Sequence, residues 1–232
     1  MLTLEALTIR QDDFQLVANL SVDVGITAVM GPSGAGKSTF LNAIAGFVAG
    51  SGVIKLDGDR IDTLQPAKRP VSMIFQDNNL FPHLTICENV GLGLRLNRKL
   101  KEAERQVVSA VLEKVGLSGL GARKPAALSG GQQSRAALAR TLLAGQPVVL
   151  LDEPFSALGP GLKDEMLDLM RDILTEDRGC TVLMVTHDPN DAKRIADQVI
   201  WVGDGIAAPP VATADFFGDP PEGLRDYLGK MG

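Results

Sequence analysis

The chain has 232 residues, 45% hydrophobic and 22% charged, which suits one sizeable α/β domain, or one domain carrying an inserted subdomain, and excludes a disordered chain. A net charge of −5 with only 4% aromatic residues excludes a general nucleic-acid binder, which would concentrate Lys and Arg and stack bases on aromatic rings. No apolar run approaches the ~20 residues that cross a bilayer, and the start, MLTLEALTIR, lacks a signal-peptide pattern, so the expectation is a cytosolic chain whose membrane role would run through a partner.

In chain order, Leu2 to Ile9 and Phe14 to Val24 read as strands separated by a polar turn. Ile26 to Met30 is a continuous apolar run, hence a buried strand, and it ends in glycine. Gly31 to Thr39 is a Gly-rich turn, and Phe40 to Gly46 continues as an apolar helix stopped by glycine. Val53 to Leu56 and Val71 to Phe75 read as further strands. From Ile86 to about Ala144 the pattern turns helical: Lys101 to Val115 carries charged and apolar positions at helical spacing, and Gly130 to Ala144 predicts an Ala- and Arg-rich helix. The basic run LRLNRKLK, Leu94 to Lys101, reads as a solvated helix face. Val148 to Leu151 and Thr181 to Val185 are buried strands flanking an amphipathic helix, Leu162 to Leu174, and the tail beyond Gly203 is Pro- and Gly-rich with short helical patches. Strands alternating with helices predict a mostly parallel sheet covered on both faces. The expected layout is thus an α/β core from 1–85 and 145–232, with an N-terminal antiparallel β subdomain and a helical insert over about 86–144. Cys87 and Cys180 lie far apart and read as reduced thiols, and His83 and His187 have no recognised zinc spacing with them.

Gly31-Pro32-Ser33-Gly34-Ala35-Gly36-Lys37-Ser38-Thr39 fits G-x-x-x-x-G-K-[ST] in the required context, a strand before it and a helix after it. Glycines let the backbone wrap around phosphates, and successive N–H groups form an anion nest at the positive end of a helix. Lys37 places a point charge against the β- and γ-phosphates, and the Ser38 hydroxyl can ligate Mg²⁺. VVLLDE, Val148 to Glu153, delivers Asp152 to the C-terminal end of a buried strand, where open α/β sheets bind ligands. Asp152 suits holding Mg²⁺ through water, and Glu153 suits orienting the attacking water as general base. These motifs point to a P-loop nucleotidase using ATP and Mg²⁺. LSGGQ adds a second anion-binding helix terminus in Ser129, Gly130, Gly131 and Gln132. One phosphate chain cannot occupy both sites within a compact subunit without a special arrangement, so the simple solution is a head-to-tail homodimer.

On these motifs the chain resembles ABC ATPases over nearly its whole length. The resemblance implies that Gln76, after VSMIF, touches Mg²⁺ and the attacking water and links the site to a permease. It implies that His187, after TVLMVT, contacts the γ-phosphate and helps position Glu153 and the water. Phe14 is the candidate for the aromatic that stacks on adenine. Where the family reads S-A-L-D, this chain reads Ser156-Ala157-Leu158-Gly159, so the Asp that crosses the dimer interface is missing. A catalytically idle subunit is the alternative this departure raises. FQDNNLFPHLTICENV is similar to importer ATPases in the region that receives the permease, Gln76 to Val90. RPVSMIFQDNNLF, NVGLGL and SALGPGLKDEM resemble more narrowly the ATPase subunits of bacterial importers for thiamine and thiamine pyrophosphate. That resemblance implies a peripheral protein at the cytoplasmic face of the inner membrane, with a permease and, indirectly, a periplasmic solute-binding protein as partners and no nucleic acid. Nothing in such an ATPase touches the solute, so an importer for iron or a polyamine remains an alternative, as does a non-transport ABC ATPase.

Overall fold

The computed structural model describes residues 1–94, 100–176, 178–220 and 224. The basic run at 94–101 and the tail after Gly203 lie partly outside them.

Strands β1 (Leu2–Gln11), β2 (Phe14–Val22), β4 (Gly50–Leu56) and β5 (Asp59–Arg60) pair antiparallel in the order β5-β4-β1-β2. A second group is wholly parallel: β9 (Gln198–Gly203), β3 (Gly25–Met30), β8 (Thr181–Val185), β7 (Val148–Asp152) and β6 (Val71–Ile74), in that order. The short β10 (Ile206–Ala207) joins the halves, running parallel to β2 and antiparallel to β9, and β11 (Val211–Ala212) also pairs with β9. Neither β9 nor β10 was legible in the sequence. β10 is too short for any period to register, and β9 reads QVIWVG without turn signals on both sides.

Five helices carry the chemistry or its supports: α1 (Lys37–Ala45), α2 (Ile86–Gly91), α3 (Glu102–Lys114), α4 (Gly130–Ala144) and α5 (Pro160–Arg171). After a π-helical turn over Asp172–Glu176 and strand β8 come α6 (Pro189–Ile195) and α7 (Thr213–Gly218). Among the described residues, 86–144 contains helices and no strand.

The parallel strands are apolar at consecutive positions because both faces are covered. Ile26, Ala28 and Met30 of β3 and Val149 and Leu151 of β7 pack into one core with α4 and α5. Val29, Val148 and Leu150 point the other way into a second core with α1 and the antiparallel strands. Full burial of an aliphatic side chain is worth about 1.5–3 kcal/mol, so a one-residue slip in these strands would exchange the two cores at high cost. This fixed register sets every loop at the C-terminal ends of the strands.

One cation holds the far end of α1. Arg69, only 9% exposed, donates Nη1 to the carbonyls of Ala43 and Ile44 at 2.9 and 2.7 Å, Nη2 to Asp62 O at 3.0 Å and Nε to Leu64 O at 3.2 Å. It meets the helix where orphan carbonyls and the negative end of the dipole favour a cation. Arg69→Ala would remove all four of these hydrogen bonds, although Ala43 O keeps the Gly46 N–H, and we expect it to lower the free energy of unfolding by about 3 kcal/mol. Urea unfolding would show this as a lower midpoint with an unchanged slope.

Candidate active site

The turn from β3 into α1 is a phosphate-binding loop built by backbone shape. Gly36, the N-cap of α1, adopts φ 94°, a left-handed conformation that favours glycine. A Cβ there would also lie 2.3 Å from Cζ of Phe14, so the ring sits directly on the loop. Phe14 therefore stands beside the phosphate loop, at the start of β2. Lys37, 8% exposed, folds back on the loop and donates to Gly31 O at 2.9 Å and Pro32 O at 2.8 Å. Burial pushes its pKa below the ordinary lysine value, while the carboxylates of Glu153 and Asp152 work to raise it.

Ser38 Oγ donates to Asp152 Oδ1 at 2.9 Å, joining the loop to the end of β7 across 114 positions of sequence. Burial raises the Asp152 pKa, and the Ser38 hydrogen bond works against that rise. A hydroxyl and one carboxylate as an oxygen-only pair fit Mg²⁺, which keeps several waters and completes its shell with substrate phosphates. They do not fit a metal held by protein alone, and among the described residues no cluster of three His, Cys, Asp or Glu could hold one.

Glu153 follows with φ 47°, a left-handed value for a side chain with a Cβ. Its N–H donates to Val185 O at 3.3 Å, and its carbonyl accepts from Ser156 Oγ at 3.1 Å. Because Asp152 pairs with Val185 in the β7–β8 register, Glu153 and His187 emerge side by side: His187 Nδ1 lies 3.4 Å from Glu153 Oε2. Backbone strain at a carboxylate poised beside a histidine is the kind of feature that accompanies function. Gln76, just past β6, is exposed and lines a cleft of about 540 Å³ with Asp77, Asp152 and Ser156. The structure thus gathers Ser38, Gln76, Asp152, Glu153 and His187 at the C-terminal edge of the parallel sheet.

Ser129, Gly130, Gly131 and Gln132 stand elsewhere. Ser129 caps α4, its Oγ accepting from Gln132 N at 3.3 Å while Gln132 Oε1 accepts from Ser129 N at 3.0 Å. Ser129 and Gly130 are exposed, and none of the four lines the cleft that holds Asp152 and Gln76. A Cβ on Gly131 would lie 2.5 Å from Leu162 Cδ2, so glycine here lets Leu162 of α5 rest against the start of α4 without moving. Gly159 caps α5 without a side-chain hydrogen bond, and a Cβ there would meet nothing within 4 Å. Within this subunit, steric exclusion is therefore not the reason this position lacks that Asp.

Two further side chains, weakly marked in the sequence, support these groups. Arg140 of α4 donates to Asn79 O at 2.7 Å and Asn78 O at 3.0 Å, pinning two consecutive residues with φ 45° and 59° just after Gln76. Its one sequence signal is a charge in an Ala- and Leu-rich helix. Lys163 of α5 binds Asp188 and Asp191, and its signal is a cation in a helix's first turns, where the dipole disfavours it.

A phosphate loop between β3 and α1, facing Asp152 and Glu153 on a strand of the same parallel sheet, defines the class of P-loop nucleotide hydrolases. The family model described as ABC transporter matches residues 18–156. Two curated relatives are both named thiamine import ATP-binding protein ThiQ. The one from Ruegeria sp. (strain TM1040) is 54% identical, and the one from Cereibacter sphaeroides is 55% identical, each over 99% of this chain and 100% of the relative. Among solved structures, the dimeric post-hydrolysis state of the ATP-binding cassette MJ0796 bound to ADP and Pi is 30% identical, with a TM-score of 0.78 over 92% of this chain and 99% of that one. The chain belongs to the ABC transporter family. Its fold is that of an ABC ATPase, and it is an ATP-hydrolysing enzyme whose turnover is coupled to transport. Among the described residues no helix is long and apolar enough to cross a membrane.

Proposed function

We propose that the chain powers a bacterial importer for thiamine or thiamine pyrophosphate, working as a homodimer bound to a permease at the cytoplasmic face of the inner membrane. The observation that carries the solute is identity of 54–55% over 99% of this chain to proteins named for thiamine import.

In this reading Gly31 to Thr39 wrap the phosphates of ATP, with Lys37 leaving the carbonyls of Gly31 and Pro32 to meet the β- and γ-phosphates. Phe14 offers its ring to the adenine beside the loop. Ser38, Asp152 and Gln76 would hold Mg²⁺, which would neutralise charge on the phosphates. Glu153 accepts a hydrogen bond from the attacking water and so aims its lone pair at the γ-phosphorus; His187 contacts the γ-phosphate and helps position that carboxylate and the water. Ser129 to Gln132 close over ATP held by the second protomer. The exposure of Ser129 and Gly130 at a helix N-terminus apart from their own cleft supports this sandwich, as does the dimeric state of the MJ0796 cassette bound to ADP and Pi.

Residues from Gln76 to Val90 meet the permease. A cavity of about 520 Å³ between α2 and α3, lined by Thr85, Glu88, Leu100, Arg105 and Leu112, has both the apolar walls and the charges to take a short permease helix. The helical stretch 86–144 would then carry the signature residues and the permease contact as one subdomain. A periplasmic binding protein would select the solute on the other side.

Uptake of labelled thiamine at nanomolar concentration tests the reading. A strain lacking this gene is expected to lose uptake and to regain it with the wild-type gene. Unchanged uptake in a deletion strain that has no second thiamine transporter would remove the thiamine assignment and leave the ATPase.

A further inference from the structure

Immediately after His187 the chain is held by a set of buried polar contacts that none of the roles above uses. Lys163 Nζ lies 2.8 Å from Asp188 Oδ2 and 2.7 Å from Asp191 Oδ1. Asp191 in turn accepts from Thr186 Oγ1 at 2.7 Å, and Thr186 Oγ1 accepts from the Asp188 N–H at 3.1 Å. Asp188 is also the N-cap of α6, accepting from Asn190 N at 2.9 Å. Both residues flanking His187 are therefore fixed, and the cation that closes the set comes from α5.

The set is buried where it matters. The side chains of Lys163 and Asp191 are 17% and 11% exposed, whereas that of His187 is 55% exposed. Burial works against the Lys163 charge, but its hydrogen bonds to Asp188 and Asp191 outweigh this and leave its pKa above the ordinary value. Lys163, Thr186 and Asp191 share walls with Glu153, Ser156 and His187 around a void of about 20 Å³. That is room for about one water and too small for a ligand, so the region is a packed joint and not a binding pocket. A lysine here also opposes the dipole of α5, a local rule broken where a compensating tertiary gain must exist.

We infer that Lys163 is a positioning residue for ATP hydrolysis: by clamping Asp188 and Asp191 it fixes His187 against Glu153 and ties that pair to the start of α5. The helix it sits on begins directly after Ser156–Gly159 and packs through Leu162 on Gly131 of the signature segment. One rigid element thus joins the residues that would close over the partner's ATP to the histidine beside this chain's own carboxylate. The inference rests on the ATPase reading given above.

The test uses the full-length chain with its permease and measures Mg-ATP turnover, ATP affinity and melting temperature together. Lys163→Met is expected to lower kcat by about tenfold to a hundredfold, the scale for a misplacement near 1 Å, with ATP KM within about twofold of wild type. Lys163→Arg, which restores the cation, is expected to recover kcat to within about threefold. A merely structural role would lower the melting temperature and cut turnover only in proportion to folded protein, so that kcat per folded chain would stay at the wild-type value. Should Lys163→Met fail to fold, Asp188→Asn decides: it keeps a good N-cap, weakens the clamp and is expected to lose kcat alone. A kcat within twofold of wild type in the folded variant overturns the inference, as does a kcat loss matched by an equal loss of ATP affinity. A wild type without Mg-ATP turnover overturns the ATPase reading and this inference with it.

Discussion

Glu153→Gln is expected to lower the ATP turnover number at least about 100-fold, the lower end of what a positioned general base contributes, without weakening ATP binding. The amide keeps the size of the side chain and can still hold a water, but it cannot take up a proton. The left-handed backbone at φ 47° costs Gln much what it costs Glu, so the fold should be as stable as wild type. Blocked at the step that removes the γ-phosphate, the variant should accumulate as an ATP-bound dimer. Turnover by phosphate release, and mass by light scattering at saturating ATP and Mg²⁺ with permease present, check both parts. A rate equal to wild type would move the base to another residue, and a persistent monomer would count against the nucleotide sandwich.

Lys37→Ala is expected to abolish productive ATP binding, with affinity down about 100-fold, while leaving the melting temperature within a few degrees of wild type. The two halves of that expectation have separate causes. Against phosphate, Lys37 supplies charge-assisted hydrogen bonds worth about 1.5–3 kcal/mol in a site that concentrates negative charge. Without phosphate, its ammonium is nearly buried and its pKa is depressed by that burial, and its contacts to Gly31 O and Pro32 O do little more than offset the lost hydration. Removing it therefore costs function and spares stability, as at many strained or desolvated sites. Isothermal titration with ATP and Mg²⁺, beside a thermal melt, separates the two. Intact ATP affinity would mean that the loop's backbone alone carries the binding.

What could be read along the chain were features written in contiguous residues. The phosphate loop is legible because its chemistry needs glycines, a lysine and a hydroxyl at fixed short spacing between a strand and a helix. The same holds for the Val148–Glu153 strand with its terminal carboxylates and for the Ser129 cap with Gln132 three residues on. Buried parallel strands announce themselves as apolar runs because both faces are covered, and β3, β7 and β8 stand close to where that pattern puts them. Two-residue strands have no period to read, so β10, which joins the antiparallel and parallel halves, has no signal of its own.

Tertiary structure alone decided which of these pieces meet. Glu153 faces His187 because Asp152 pairs with Val185, a choice of register made by two hydrophobic cores on opposite faces of the sheet and not by either residue. The Ser38–Asp152 contact, the Arg140 grip on Asn78 and Asn79, and the Lys163 clamp on Asp188 join positions 114, 61 to 62 and 25 residues apart. A polar side chain carries no mark of its distant partner: burial makes such contacts necessary, because an unpaired polar group in the interior costs several kcal/mol, but only the packed fold chooses the pair. The sequence by itself determined the phosphate-binding chemistry and the alternation of strand and helix. The fold determined which carboxylate stands beside which histidine, and what holds them there.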